Sequence, residues 1–226
     1  MSSFRFLVLC ALTFFSGLYS GTLSAQKFFD GGLNGESYYS TGYYYLPDST
    51  KKSGLIKYTF ESPNSFRFKE SLSAKAVTIT ADECIGFHED GDKADFQTIS
   101  NVKLPMSLTN VKFSKCFAEL RISGDLCLYL VYFEKTKGGG PGFGGYGPGG
   151  APSAGFGGVR RIASSRYMLK KKNSDIVQEV PKKAKHFKKE LGAFLADKPG
   201  VVEFINSHDY TDDEIEMVVQ AYNYSK

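Results

Sequence analysis

Apolar and polar residues alternate along much of the chain between about residue 41 and residue 172. In GLIKYTF (54–60), Ile56, Tyr58 and Phe60 fall on one side of an extended chain and Lys57 falls on the other. Four more segments share this character: GYYYL (42–46), NSFRFKE (64–70), KAVTITA (75–81) and KCFAELRI (115–122). A period of two is typical of β-strands, and turn-forming clusters between the segments indicate antiparallel hairpins.

The segment DLCLYLVYF (125–133) is apolar at nearly every position. This pattern is typical of a strand that is buried on both faces, so we expect it at the centre of the sheet. VRRIASSRYMLKKK (159–172) predicts the returning strand, and SDIVQEV (174–180) continues it or pairs beyond it. Among the earlier strands, ADECIGF (81–87) can form one helical turn and HEDGDKAD (88–95) is a polar turn.

Two helices are predicted near the C-terminus, where the apolar period changes from two to about 3.6. In PKKAKHFKKELGAFLAD (181–197), lysines lie opposite an apolar stripe formed by Ala184, Phe187, Leu191 and Phe194 or Leu195. TDDEIEMVVQAYNY (211–224) begins with a capping box, Thr211 and Glu214. Its apolar stripe is formed by Ile215, Val218, Val219 and Tyr222.

These patterns predict one α+β domain over residues 41–226, with a flexible segment (26–40) before it. Its architecture is an antiparallel curved sheet or incomplete β-barrel, followed by two C-terminal helices within residues 181–226. The mature length is sufficient for a sizeable core.

The first 25 residues have the layout of a signal peptide. Arg5 is the only charged residue among the first 26, an apolar run follows at 6–15, and small residues lead to Ala25. Ten residues are too few to cross a bilayer core of about 30 Å as a helix, although a membrane anchor is the alternative. We expect cleavage after Ala25 and secretion to the periplasm or the outer surface. The rest of the sequence contains no run of 18 apolar residues, so no transmembrane segment is predicted there.

A tract of glycine and proline occupies residues 138–158, and GFGGYG (142–147) matches the G-x-G-x-x-G pattern of dinucleotide-binding proteins. Such a loop has to lead into a helix whose N-terminus holds the phosphate. Here PGGAP (148–152) follows, and the first acidic residue after the tract is Asp175. We therefore expect no cofactor, and interpret the tract as a disordered loop at a hairpin tip.

Three cysteines remain after cleavage: Cys84, Cys116 and Cys127. Cys116 and Cys127 flank a predicted tight turn at 123–125. The strand rise would place them about 13 Å apart, beyond the ~7 Å that a disulfide allows. We expect all three to be small core residues.

Several short motifs are spread over residues 40–226. They are Gly54-Leu55-Ile56-Lys57-Tyr58, TADECIGF (80–87), GDLCLY (124–129), YMLKK (167–171) and Tyr222-Asn223 near the end. With the Ala25-Gln26 junction, their order resembles a group of uncharacterised secreted proteins of the Bacteroidetes. The resemblance implies a secreted protein with an antiparallel β body and a C-terminal helix, and it implies no activity.

The segment 88–95 is the densest cluster of possible ligands. Asp90, Asp92 and Asp95 offer oxygens suited to calcium, but the spacing departs from that of an EF-hand and a plain turn is the preferred interpretation. His88, His186 and His208 lack metal-binding spacing, and no nucleophile motif accompanies them. An enzyme, hydrolase-like and using His88 with its acidic neighbours, is the alternative.

Charge is segregated along the chain. Residues 159–190 contain eleven basic and three acidic residues, whereas residues 191–226 contain two basic and seven acidic ones. The basic stretch predicts a surface for an anionic partner. Its candidate residues are Arg160, Arg161, Lys170, Lys171, Lys172, Lys182, Lys183, Lys188 and Lys189. The alternative is that these residues pair internally with the acidic last helix.

The sequence therefore predicts a non-catalytic, secreted binding or structural protein. Its expected partner is an anionic component of the cell envelope or another envelope protein. Nucleic acid is not expected, because a secreted protein rarely meets it and no nucleic-acid-binding motif is present. A structural envelope component that displays the glycine-rich loop is a further interpretation.

Overall fold

The computed structural model describes residues 39–106, 110–137, 141–143, 154–156 and 160–225, all within one compact unit. The signal peptide and most of the flexible segment lie outside the described residues, as does most of the glycine-rich tract. The strands are β1 (Ser40–Tyr45), β2 (Lys51–Tyr58), β3 (Ser65–Lys69), β4 (Val77–Thr80), β5 (Gly86–Glu89), β6 (Ala94–Leu104), β7 (Val111–Ile122), β8 (Leu126–Lys137), β9 (Pro141–Phe143), β10 (Ala154–Phe156), β11 (Arg160–Lys171) and β12 (Val177–Glu179). The helices are α1 (Ala184–Phe194), α2 (Pro199–Ser207) and α3 (Ile215–Tyr224), the last preceded by a 3₁₀ turn (Asp212–Glu214).

Ten strands form one open antiparallel sheet in the order β12-β11-β8-β7-β6-β5-β1-β2-β3-β4. This arrangement confirms the predicted α+β class with a curved sheet that does not close into a barrel. The predicted returning strand is β11, which pairs with β8 along its whole length. The glycine-rich tract therefore connects two neighbouring strands, and β9 and β10 form a separate two-stranded ladder within it.

Aromatic residues pack together on one face of the sheet, which we call the inner face. Phe66, Phe87, Phe96 and Phe117 contribute to this cluster from four different strands. Each is at most 3% exposed, and the ring centroids of Phe87 and Phe96 lie 4.5 Å apart. The alternation of buried and exposed residues in β2 and β3 follows directly from this packing.

The sheet curves so strongly that the turn between β2 and β3 contacts strands β7 and β8. The Phe117 N–H donates to Pro63 O at 2.8 Å, and the Glu134 N–H donates to Phe60 O at 3.0 Å. Strands β7 and β8 pair directly only near the turn that joins them, where Leu120 faces Tyr129. Beyond that point the two strands separate, and the β2–β3 turn supplies hydrogen bonds to both.

The three helices cover the inner face beside the aromatic cluster, over β8 and β11. Phe187 and Leu191 of α1 are fully buried, and the predicted stripe of α3 is buried at all four positions. The predicted capping box is present, because the Thr211 N–H donates to Glu214 Oε2 at 3.0 Å. On the opposite, outer face a smaller cluster includes Val131 and Phe133, so β8 is buried on both faces as predicted.

Four sequence predictions need correction. Strand β8 was expected at the centre of the sheet. It is instead the third strand from the β12 edge, with seven strands on its other side. The described residues after β12 contain three helices instead of the two expected, since α2 was not predicted. The segment 81–87 contains a hydrogen-bonded turn at 81–83 followed by the start of β5, and the polar turn is limited to residues 90–93. Helix α1 begins at Ala184, so Pro181 precedes it.

Two of the motifs quoted above meet where α3 docks on the sheet. The Asn223 side chain accepts a hydrogen bond from Leu126 N at 2.8 Å and donates one to Leu126 O at 3.0 Å. It thereby takes the place of a neighbouring strand at the first residue of β8. Gly124 makes room for it, because a Cβ atom there would lie 2.5 Å from Asn223 Nδ2. These motifs hold the helical layer on the sheet.

Candidate functional site

His88 lies in a row of side chains that crosses the outer face of the sheet. Its Nδ1 atom is 2.7 Å from Asp95 Oδ1, and its Nε2 atom is 3.3 Å from Asp90 Oδ1. The Tyr43 ring stacks on the imidazole with a centroid distance of 5.1 Å, and Lys51 Nζ lies 3.5 Å from the Tyr43 centroid. Both imidazole nitrogens therefore already have carboxylate partners, and the ring is packed against an aromatic neighbour.

The three aspartates considered as calcium ligands do not converge on one point. Asp90 and Asp95 contact different nitrogens of His88, whereas Asp92 acts electrostatically on Glu89. Within the part of the chain that the structure describes, no three Asp, Glu, His or Cys side chains are placed to hold one metal ion.

Glu89 is a buried carboxyl group that the sequence pattern did not reveal. It lies on β5, is 7% exposed, and its Oε2 atom has no hydrogen-bond partner among the described residues. Burial raises the pKa of Glu89 and the nearby Asp92 raises it further, while a hydrogen bond with Ser40 and the nearby His88 lower it. The protonated form of Glu89 is therefore favoured in the folded protein beyond the usual pH range of a glutamate.

We expect Glu89→Gln to stabilise the fold, and to do so more at pH 8 than at pH 4. Because folding raises the pKa of Glu89, its favourable contribution is complete below the unfolded pKa of about 4.3 and is lost as the pH rises through the folded pKa. Glutamine is neutral throughout and escapes this loss, which is about 1.4 kcal/mol for each pH unit that separates the folded pKa from the unfolded pKa. Thermal unfolding of both proteins from pH 4 to pH 8 measures the difference. A gain that does not change with pH would contradict it.

The three cysteines that the structure describes are free thiols. Cys84 and Cys116 are buried and Cys127 is half-buried. Burial raises the pKa of Cys84 to about 11 and that of Cys116 to about 12, so neither is a thiolate at neutral pH. Cys84 and Cys116 are core residues as predicted, whereas Cys127 is only partly so.

Strand β11 separates the predicted basic residues into two groups. Arg160 and Arg161 begin the strand, and Lys171 ends it about 33 Å away at the usual rise per residue. Arg161 is paired with Glu61, its Nη1 atom lying 2.8 Å from Glu61 Oε1. The nine candidates therefore do not form one continuous surface.

Three of the predicted lysines pair internally with carboxylates of the C-terminal segment. The pairs are Lys171 with Asp197 at 2.5 Å, Lys188 with Asp209 at 2.8 Å and Lys182 with Asp212 at 3.6 Å. This is the internal pairing that was considered as the alternative. The carboxylates lie in the connections around α2 and in the 3₁₀ turn, before the last helix begins.

The remaining lysines of α1, and Lys183 immediately before it, face solvent. Lys183, Lys185 and Lys189 are exposed and form no ion pair within 4.0 Å in the described structure; we call them the α1 lysine surface. Lys183 also borders a shallow groove of about 230 Å³. The groove is lined by Glu179, Pro181, Lys182, Lys183, His186 and Glu190. Lys172 is exposed at the end of β11 and likewise has no ion pair among the described residues.

A second basic surface, which sequence reasoning missed, lies on the outer side of the first three strands. Strands β1, β2 and β3 contain five basic residues and no acidic one. Four of these point outward, and we call the surface they form the β1–β3 outer face: Lys51, Lys57, Arg67 and Lys69. The alternation of the predicted strand 54–60 already placed Lys57 on the polar side. Lys51 lay outside the predicted strands, and the register between strands was needed to bring the four together.

No helix among the described residues has the length and apolar character needed to cross a membrane. Comparisons with protein-family models, curated proteins and solved structures find no match for this chain.

Proposed function

We propose that this chain is a secreted, non-catalytic binding protein whose partner is an anionic component of the cell envelope. The observation that carries the proposal is the α1 lysine surface, three exposed ammonium groups without carboxylate partners in the described structure. The acidic C-terminal segment neutralises Lys171, Lys182 and Lys188 instead. The positive charge that remains is available to a partner.

Two features favour binding over catalysis. The imidazole of His88, on which the hydrolase alternative depends, has a carboxylate at each nitrogen and a tyrosine on its face. The thiols of Cys84 and Cys116 are buried, and their raised pKa values keep them protonated. Secretion rests on the N-terminal pattern of residues 1–25.

Reversing the charge of Lys183, Lys185 and Lys189 to glutamate is expected to abolish association with the envelope fraction. Purified protein is mixed with envelope membranes of the source organism at low salt, and the bound share is measured by sedimentation as salt is raised. Wild-type protein is expected to be released between about 0.1 and 0.5 M salt, because exposed charge contacts are screened within about 10 Å or less in that range.

The matched control also reverses three exposed lysines: Lys103 and Lys112, which lie opposite each other on β6 and β7, and Lys75, which precedes β4. This control isolates position from total charge, and its association should resemble that of wild-type protein. Equal loss in both variants would show that net charge alone governs the association. Retention of the triple variant would remove the α1 lysine surface as the site.

A further inference from the structure

Like charges face each other directly on the β1–β3 outer face. Lys57 on β2 and Arg67 on β3 are cross-strand partners, and both point away from the aromatic cluster because their neighbours Ile56 and Phe66 are buried. Directly opposite residues have Cβ atoms about 5 Å apart, and like charges at that distance destabilise a sheet. Neither side chain forms an ion pair within the described residues. This repulsion is relieved when an anion binds between them.

Two further cations on this face are held in place by tyrosine rings. Lys51 Nζ lies 3.5 Å from the Tyr43 centroid, and Lys69 Nζ lies 4.7 Å from the centroid of Tyr39. A cation over an aromatic ring is attracted by the negative face of the ring. The ammonium groups are therefore partly ordered before a ligand arrives, which reduces the entropy lost on binding.

The layout of the cations suits a repeating anion better than a small one. Lys51 and Lys57 lie six residues apart on β2, or about 20 Å, so one small ion cannot contact both. An exposed charge contact contributes at most about 1 kcal/mol, so useful affinity requires several contacts on one molecule. A linear polymer provides them at once, since each contact after the first is intramolecular.

The neutral groups on this face are hydroxyls, phenol rings and one half-buried apolar side chain, Leu55. Thr41, Ser53 and Thr78 are exposed on the same side of β1, β2 and β4. None of the described residues of β1, β2 and β3 is an exposed large apolar residue. Hydroxyls that donate and accept hydrogen bonds match a sugar, whereas insertion into a lipid surface requires exposed apolar side chains. The Arg67 guanidinium is suited to a carboxylate, which it can bind through two parallel hydrogen bonds.

We propose that the β1–β3 outer face binds an acidic polysaccharide, a linear glycan that carries a carboxylate on its repeating sugar. The Lys57–Arg67 pair holds one carboxylate, Lys51 and Lys69 contact others along the polymer, and the hydroxyl-bearing residues contact the sugar hydroxyls. This surface is separate from the α1 lysine surface, and the two proposals stand on different residues.

The test uses immobilised alginate, a linear polyuronate, in buffer at low salt, with neutral dextran as the comparison polymer. Wild-type protein is expected to be retained on alginate and to pass through dextran. Lys57→Glu with Arg67→Glu is expected to weaken alginate binding about tenfold or more, since two attractive contacts become repulsive. A milder variant, Arg67→Gln, should weaken binding while its Tm equals or exceeds that of the wild type, which distinguishes loss of the site from unfolding.

Two control variants and two competing ligands make the result decisive. The double reversal at Lys103 and Lys112 changes net charge equally, as another directly opposed pair, and should bind alginate like the wild type. The α1 triple variant should also bind alginate normally, so failure here is separable from failure of the envelope proposal. Equal loss in either control variant would overturn the assignment. Absence of alginate binding by the wild type would also overturn it. Equal or tighter binding of duplex DNA would identify the face as a general polyanion surface, and equal or tighter binding of phosphatidylglycerol vesicles would identify it as a lipid surface.

Discussion

Replacing Asn223 with alanine is expected to lower the free energy of unfolding by about 2 to 4 kcal/mol. The change leaves the N–H and the carbonyl of Leu126 without the partners they have in the native protein, and Leu126 is fully buried. An orphaned buried polar group costs about 1 to 3 kcal/mol, and two are created here. Urea denaturation followed by circular dichroism measures the loss. Asn206→Ala, an exposed asparagine of α2, provides the control and should change stability little.

Gly124→Ala tests the same contact from the opposite side. The new methyl group would lie 2.5 Å from Asn223 Nδ2, so the side chain must move and its two hydrogen bonds are lost. We expect a destabilisation similar to that of Asn223→Ala. In the Asn223→Ala background the methyl group meets no amide, and the same substitution should cost less than about 1 kcal/mol. Additive losses in the double variant would contradict this explanation.

The strands that were predicted well are those whose two faces have different environments. In β2 and β3 the inner positions enter the aromatic cluster and the outer positions meet solvent, so the sequence alternates cleanly. The continuous apolar run of β8 likewise indicated burial on both faces. In the structure, one face of β8 is covered by the aromatic cluster and the helices, and the other face lies in the outer cluster. These patterns are local, so no knowledge of the register was required.

Strand β6 was missed because its alternation changes phase. Asn101 has a φ of 59°, in the left-handed region that asparagine tolerates better than most residues. The ladder to β7 is interrupted at this residue without a change of register, since Ser100 faces Lys115 and Val102 faces Phe113. The buried positions before and after it, Ile99 and Val102, are three apart instead of two. Helix α2 was missed because it is short and buries only Val201 and Ile205, too few positions for a period to be recognised.

The candidate surfaces depend on contacts that no local pattern contains. Lys182 pairs with a carboxylate thirty residues away, and the pair could be identified only once α1 and the 3₁₀ turn were placed together. The Lys57–Arg67 pair requires the register between β2 and β3. Charge segregation indicated a basic surface, and the fold decided which lysines remain available to form it.

A largely buried ion pair within β7 is linked to β8 by the Tyr132 hydroxyl at the point where the two strands separate. Glu119 Oε1 accepts a hydrogen bond from Arg121 Nη1 at 2.8 Å, and Oε2 accepts one from the Tyr132 hydroxyl at 2.6 Å. The side chains of Glu119 and Arg121 are only 12% and 21% exposed, and Phe60 of the β2–β3 turn stacks on the Tyr132 ring at 4.7 Å. Burial and the Glu119 carboxylate together raise the pKa of Tyr132, which keeps its hydroxyl a hydrogen-bond donor.

Glu119→Ala is therefore expected to lower the free energy of unfolding by about 3 kcal/mol, because it leaves a largely buried guanidinium without its carboxylate. Glu61→Ala removes the partner of Arg161 in a pair that is more than half exposed, and should cost at most about 1 kcal/mol. A triple variant, Glu119→Met with Arg121→Met and Tyr132→Phe, should be more stable than Glu119→Ala, since no buried polar group then lacks its partner. Urea denaturation of the four proteins decides the matter: equal losses at Glu119 and Glu61 would mean that water reaches the junction of β7 and β8, and that the aromatic turn does not shield it.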